Sequence, residues 1–380
     1  MTSTNQEPVR LRAEILAKPP YKQGVEPAPG GFKLSSNENP FGPLPSVAKR
    51  ALGVNDFNRY PDGSLPALRA ALAKRYGVPD ENVHVSAGSV ALLYQLVAAA
   101  VGAGDEYIYA WRSFEAYPGL GIVTGASSVQ VPNLPDHSHD LEAMLAAITD
   151  RTRMMLLCSP NNPTSTTIST VDFEAFMERI PSNLLVVLDE AYGEFVTDED
   201  AVNGSNYLSK YPNLVILHTF SKAYGLAGLR VGYGIGNSRI LDAARTAAIP
   251  LSVTDSAQQA ALASLEPEAE AELLERVSVI AERRDRMVTA LRETGWNIPQ
   301  AQGNFFWLPL GQETVAADRF FNEAGLVVRA FAPEGIRVSV GEEESVATIL
   351  AVAARILDTL PIDHLARKAA SQPETKRSNV

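Results

Sequence analysis

Cysteine is nearly missing from this chain: one residue in 380, Cys158, which excludes a disulfide framework and a cysteine-based metal site. It lies within an apolar stretch, where a thiol packs more often than it reacts. Long apolar runs are missing too. The longest, residues 90–103, falls short of the ~20 residues needed to span a bilayer. The opening residues, MTSTNQEPVRLRAEI, lack the apolar core of a secretory signal, so a cytoplasmic, reduced setting is expected, with no membrane partner. Positive charge is in deficit: 33 Lys and Arg face 44 Asp and Glu, a net charge of −11, which argues against a nucleic-acid partner held by phosphate attraction. Nucleotide loops are lacking as well. Gly119-Leu120-Gly121 is followed by Gly125, one residue too far for the dinucleotide fingerprint, and it precedes a strand instead of following one. There is no Walker-type loop and no nucleophile elbow. His137-Ser138-His139, between Asp136 and Asp140, reads as a solvated loop, so no metal is expected.

What remains is an ordinary globular composition, 46% hydrophobic and 20% charged, in a chain long enough for about two domains. Residues 1–31 are rich in proline and glycine (Pro19-Pro20, Pro27, Pro29, Gly30-Gly31) and read as an arm laid over the rest. SSNENPFGPLP (35–45) is turn chemistry. From about 83 to 236, β and α patterns alternate, with strands expected at 83–86, 106–110, 127–131, 153–158, 184–188, 214–218 and 231–235. Most are continuous apolar runs, as strands covered on both faces require. Helix-start signals stand at Ser64, Asp140 and Ser169-Thr170. This pattern predicts an α/β fold with a seven-stranded, mostly parallel sheet. Beyond 250, a helical stretch over 255–294, short strands near 304–308, 326–330 and 336–340, and a helix near 343–359 predict a smaller α+β domain. The expected division is an N-terminal arm (1–34) packing with the small domain, a large domain (35–254), a small domain (255–362) and a flexible tail (363–380).

Three strand ends carry the chemistry. Ser221-Lys222 follows the run Leu214-Val215-Ile216-Leu217, Asp189 ends Leu184-Leu185-Val186-Val187-Leu188, and Asn162 sits in SPNNPTS just past the 153–158 strand. The carboxyl ends of neighbouring strands in an open α/β sheet form the crevice where ligands bind. A lysine that forms a Schiff base, beside a carboxylate that holds a pyridinium nitrogen, is the protein's share of pyridoxal phosphate chemistry. Partial desolvation and nearby cations would lower the lysine's pKa and free its amine. Asp189, if buried, needs a cation above it. Glu190 should face the other way and act structurally. Asn162 and Tyr192 are candidate donors to a phenolate oxygen. Ala87-Gly88-Ser89, between a strand and the helix starting near Val90, offers free N–H groups to a phosphate, with Ser221 and Arg230 to complete the cradle.

SSNENPFGP, Asn58-Arg59-Tyr60-Pro61, Ala87-Gly88-Ser89, SPNNPT, Asp189-Glu190-Ala191-Tyr192 and TFSKAYGLAGLRVGY (219–233) occur in this order along the chain. Together they resemble the fold-type-I pyridoxal phosphate enzymes, specifically class II aminotransferases similar to histidinol-phosphate aminotransferases, over about residues 35–360. The resemblance implies that Lys222 links covalently to pyridoxal 5'-phosphate and shuttles the proton, with Asp189 on the pyridinium and Asn162 and Tyr192 on the phenolic oxygen. It implies phosphate binding by Gly88, Ser89, Ser221 and Arg230, with Val90 and Thr219 beside them. Tyr60 would reach the cofactor of a neighbouring subunit, so a homodimer with shared sites is implied. Phe114 would stack on the ring and, with Asn162, face the substrate. Arg337 would bind the substrate's acidic end, assisted by Arg329. Three departures stand out: Ser165 where the family usually has glycine, Gly88-Ser89-Val90, and Trp111-Arg112-Ser113-Phe114. These resemble a subgroup of aromatic, or phenylalanine, aminotransferases. The implied activity is transamination of phenylalanine, tyrosine and tryptophan with 2-oxoglutarate or another oxo acid. The alternatives are histidinol-phosphate transamination, a lyase or decarboxylase, and a non-catalytic binding module.

Overall fold

The computed structural model describes residues 9–17 and 24–368; Pro19-Pro20 of the arm and the tail beyond Lys368 lie outside the described residues. The described residues form twelve strands: β1 (Phe32–Lys33), β2 (Val83–Ser86), β3 (Glu106–Trp111), β4 (Ser127–Pro132), β5 (Thr152–Cys158), β6 (Leu185–Asp189), β7 (Leu214–Thr219), β8 (Gly232–Gly236), β9 (Phe305–Leu308), β10 (Leu326–Val327), β11 (Arg329–Phe331) and β12 (Gly335–Ser339). Seven of them form one sheet in the order β2-β8-β7-β6-β5-β3-β4. All neighbours are parallel except β8, which runs antiparallel to both β7 and β2.

The apolar runs are continuous because both faces of the sheet are covered. On one face Ile108, Met155, Val186, Leu188 and Ile216 pack with the helices Pro66–Tyr76, Thr170–Met177 and Asp255–Ser264. On the other, Tyr107, Tyr109, Leu156, Val187 and Leu217 pack with the helices Ser89–Ala100 and Ser238–Thr246. Full burial of each such side chain contributes about 1.5–3 kcal/mol. The side chains alternate between faces with the two-residue period of a strand. Asp189 therefore shares the face of Val187, and Glu190 takes the opposite one. A second core lies around β9 and β12, where Leu34, Phe306, Leu308, Ile336 and Val338 meet Trp296 and Ile356.

The structure departs from the sequence reading at several boundaries. Ser64 does not cap a helix: the helix begins at Pro66 after Leu65 (φ 49°), and Ser64 instead closes a turn on Asp62, its N and Oγ both donating to Oδ1 at 2.9 and 2.7 Å. Asp140 and Ser169 do cap, accepting from the N–H of Ala143 and Asp172. The helical stretch expected over 255–294 is two helices, Asp255–Ser264 and Pro267–Glu293. Proline lacks the N–H that would continue the first and suits the opening turn of the second. The second helix also serves both cores: Leu273, Val277 and Ile280 belong to the first, Met287, Val288 and Leu291 to the second. The change of core thus falls inside this helix, not at residue 255.

The strand expected over 326–330 splits into β10, which pairs in parallel with β1, and β11, which pairs with β12. Residues 363–368 are fastened, contrary to a flexible tail starting at 363. The Asn297 N–H donates to the Ala366 carbonyl at 2.7 Å and that of Lys368 to Gly295 at 2.9 Å. No helix among the described residues is long and apolar enough to cross a membrane.

Candidate active site

Strand register assembles the site. Cys158, Asp189 and Leu217 stand side by side on β5, β6 and β7, so the loops carrying Asn162, Tyr192 and Lys222 leave the same sheet edge. Lys222 is half-buried, and its Nζ donates to the Ser36 carbonyl at 2.9 Å. Burial first, then the Arg337 and Arg230 charges, lower its pKa from 10.5 to about 7, against an opposing pull from Glu38. Between those values the unfolded chain holds a proton on this lysine that the folded chain does not. Folding stability from this group is therefore expected to rise with pH from about 7 to 10.5, by up to about 1.4 kcal/mol per unit. Urea unfolding of the cofactor-free protein across that range tests this: Lys222→Met should flatten the slope, and an unchanged slope would refute it.

Asp189 is also buried. Its Oδ2 accepts from the Tyr117 hydroxyl at 2.9 Å and its Oδ1 from the Ala191 N–H at 3.2 Å. Burial outweighs these donors and raises the carboxyl to about pKa 6. The two donors and a lesser pull from the His218 charge do not offset its burial, which leaves this carboxylate suited to a cationic N–H of a ligand. Glu190 lies on the other face, as the alternation requires. It accepts from the Gly204 N–H at 2.8 Å and stands 3.2 Å from Nε2 of His218.

The Asn162 Nδ2 lies 3.3 Å from the Tyr192 hydroxyl, and its Oδ1 accepts from Arg337 Nη1 at 2.6 Å. Arg337, on β12, also donates to the Ser35 carbonyl and lies under 6 Å from the ring centres of Phe305 (5.6 Å) and Phe331 (5.7 Å). Arg329 is its cross-strand partner and is bound to Glu115 at 2.6 Å, so its role beside Arg337 is tempered by an existing ion pair. Phe114 packs edge-on against Tyr117 with ring centres 5.6 Å apart.

An anion cradle lies at the other end. The helix Ser89–Ala100 starts without a side-chain cap, after Gly88 at φ 87°. The left-handed φ favours glycine at 88, while a methyl group on Gly232 would lie 2.5 Å from the Ser89 backbone nitrogen, so close approach requires glycine there. Arg230 Nη1 donates to Ser221 Oγ at 3.3 Å, and the Ser221 N–H donates to Thr219 Oγ1 at 3.1 Å. Val90 follows Ser89 in the opening turn. Backbone N–H groups at a helix start, a hydroxyl and a guanidinium suit a phosphate. Tyr60 alone stands apart, 85% exposed.

Sequence reasoning missed Tyr117, which holds Asp189, and the reach of the 35–39 segment. Read only as turn chemistry, that segment contacts Arg337 through Ser35, Lys222 through Ser36 and Tyr192 through Asn37, while Asn39 Nδ2 donates to the carbonyls of Lys222 (3.3 Å) and Ala223 (3.0 Å). Ser165, where the family resemblance leads to an expectation of glycine, has a left-handed backbone (φ 66°). Its hydroxyl donates to the Phe305 carbonyl and accepts from the Gly303 N–H, both at 2.8 Å, which offsets the strain. His139 is buried, not solvated, and burial lowers its pKa to about 4. Among the described residues no group of three or more His, Cys, Asp or Glu could hold a metal ion.

Comparison with known proteins agrees with this geometry. The family model of aminotransferase class I and II matches residues 29–352. The chain belongs to that family. This aminotransferase is 50% identical over 340 residues to the aromatic amino acid aminotransferase of Streptomyces avermitilis, covering 88% of this chain and 94% of the relative. It is 48% identical over 354 residues to the protein of the same name from Thermobifida fusca, covering 92% and 98%. Among solved structures, histidinol-phosphate aminotransferase from Sinorhizobium meliloti, in complex with pyridoxal-5'-phosphate, superposes with a TM-score of 0.82 at 26% identity, covering 94% of this aminotransferase and all of that chain.

Proposed function

We propose that this aminotransferase moves the amino group of phenylalanine, tyrosine or tryptophan to 2-oxoglutarate or another oxo acid, using pyridoxal 5'-phosphate. The observation that carries this reading is the half-buried Lys222 amine, set among cations at the same sheet edge as the buried Asp189, in a chain about half identical to aromatic amino acid aminotransferases. The residues fit the cofactor: a cradle for phosphate, a carboxylate needing a cation, and two amide or hydroxyl groups between them. When bound, pyridoxal phosphate supplies an electrophilic carbonyl carbon and a ring that accepts electrons.

The chain's own residues do the rest. Lys222, neutral above about pH 7, bonds the cofactor and then carries the proton of the substrate α-carbon. Asp189 keeps the ring nitrogen protonated. Asn162 and Tyr192 hold the phenolic oxygen, while Gly88, Ser89, Ser221 and Arg230 hold the phosphate, with Val90 and Thr219 alongside. Arg337 would pair with the substrate carboxylate, assisted by Arg329, and Phe114 would supply an apolar face for the cofactor ring and the substrate. In this reading the active protein is a cytoplasmic homodimer, with the exposed Tyr60 reaching the partner's cofactor, and residues 35–254 form the cofactor-binding lobe. Histidinol-phosphate transamination is the rival reading, supported by the Sinorhizobium meliloti likeness.

Steady-state kinetics with phenylalanine, tyrosine, tryptophan and histidinol phosphate as donors tests the proposal, with the oxo-acid product measured. kcat/KM for at least one aromatic donor is expected to exceed that for histidinol phosphate by at least about tenfold, ~1.4 kcal/mol of transition-state discrimination. The reverse order would transfer the assignment to the rival. Loss of carbon dioxide without an oxo acid would refute transamination.

A further inference from the structure

Asn37 sits between the two cores and touches both. Its backbone is left-handed (φ 51°), a conformation that asparagine and glycine accept most readily. Its side-chain Nδ2 donates to the Tyr192 hydroxyl at 3.0 Å, and its Oδ1 accepts from Ser339 Oγ at 2.9 Å. Its N–H donates to the same Ser339 oxygen at 2.9 Å, and its carbonyl accepts from Asn304 Nδ2 at 3.1 Å. Asn37, Asn304 and Ser339 are all buried, so this amide is held from three sides.

The consequence lies in the hydroxyl it meets. A phenol oxygen has one proton to give and lone pairs to accept with. Asn37 Nδ2 at 3.0 Å and Asn162 Nδ2 at 3.3 Å both occupy acceptor positions on Tyr192, and an amide N–H has no lone pair to receive the phenolic proton. The proton must therefore point elsewhere. We propose that Asn37 is a positioning residue that leaves the Tyr192 proton directed at the phenolic oxygen of the bound cofactor, and through it tunes the cofactor's proton affinity. This rests on the cofactor assignment of the preceding subsection. A donor on that oxygen withdraws negative charge from it and so weakens the hold of the neighbouring cofactor nitrogen on its proton. The charged and titratable groups facing the Tyr192 hydroxyl are Arg337, Cys158, Asp189 and Lys222, and Lys222 in turn faces Glu38 and Arg230.

Spectrophotometric titration of the holoenzyme tests the proposal, by reading the pH midpoint of the cofactor's absorbance change. Asn37→Gly keeps the left-handed backbone and removes only the amide. It is expected to raise the midpoint by about 0.3–0.5 units, a two- to threefold gain in proton affinity, and Tyr192→Phe by about one unit. In the Tyr192→Phe background, Asn37→Gly should add nothing, since its effect passes through the hydroxyl. Ser339→Ala, which frees the Asn37 amide, should raise the midpoint in the same direction and serves if Asn37→Gly folds poorly. An unmoved midpoint in whichever variant folds, or an equal shift with and without the Tyr192 hydroxyl, overturns the proposal. Absence of any cofactor band in the unaltered protein would instead refute the cofactor assignment, so the two failures are distinguishable.

Discussion

Exchange of Lys222 for alanine is expected to abolish turnover while leaving the noncovalent cradle intact. The cradle is built from Gly88, Ser89, Ser221 and Arg230, and its close contacts do not involve the lysine side chain. What the variant loses is an amine that burial and the Arg337 and Arg230 charges have brought to about pKa 7, close to the working pH. A proton-transfer group so matched contributes on the order of 10²–10⁴-fold, and loss of the covalent link adds to that. Single-turnover kinetics should show no amino transfer above background, and equilibrium dialysis should still show bound pyridoxal phosphate. Ordinary turnover by this variant would defeat the assignment of Lys222.

Asp189→Asn should lower kcat on the order of 10²–10³-fold, the usual loss when one preorganised charge aimed at the reacting system is removed. Asparagine keeps the shape of the side chain: its oxygen can accept from the Ala191 N–H, while its amide replaces the oxygen that took the Tyr117 proton and can donate to that hydroxyl once it rotates. It cannot hold a proton on the ring nitrogen by charge, because it has none. The free carboxyl is raised to about pKa 6 by burial, and a cation held against it would pull that value down. Rate measurements on Asp189→Asn, with circular dichroism to verify the fold, decide this. A loss smaller than about tenfold would show that the carboxylate does not govern the ring.

The sheet was legible in the sequence because its strands are buried on both sides, and burial on both sides writes a continuous apolar run. β6 and β7 are buried along their whole length, and their expected bounds differ from the observed ones by a residue. The strand ends then located Lys222, Asp189 and Asn162. Segments whose contacts are polar and distant in sequence left no such trace. Asn37 meets Ser339 across 302 positions and Tyr192 across 155, through hydrogen bonds that impose no periodicity. Tyr117 reaches Asp189 across 72, and nothing local distinguishes it from a core tyrosine. Pro267 marks the break at Leu265-Glu266, a local signal that the expected single helical stretch over 255–294 overlooked, whereas the change of core within the following helix depends on what lies beside it, which only the tertiary structure specifies.

That helix, Pro267–Glu293, also decides what can be removed. A chain cut after residue 254 would strip Leu273, Val277 and Ile280 from the first core and leave apolar side chains there open to water. The same helix carries Arg284, fully buried, with its guanidinium donating to the carbonyls of Phe195 (2.8 Å) and Gly303 (3.3 Å). Each lobe takes part of its apolar core from this one helix, so a cut on either side of it leaves one of them incomplete.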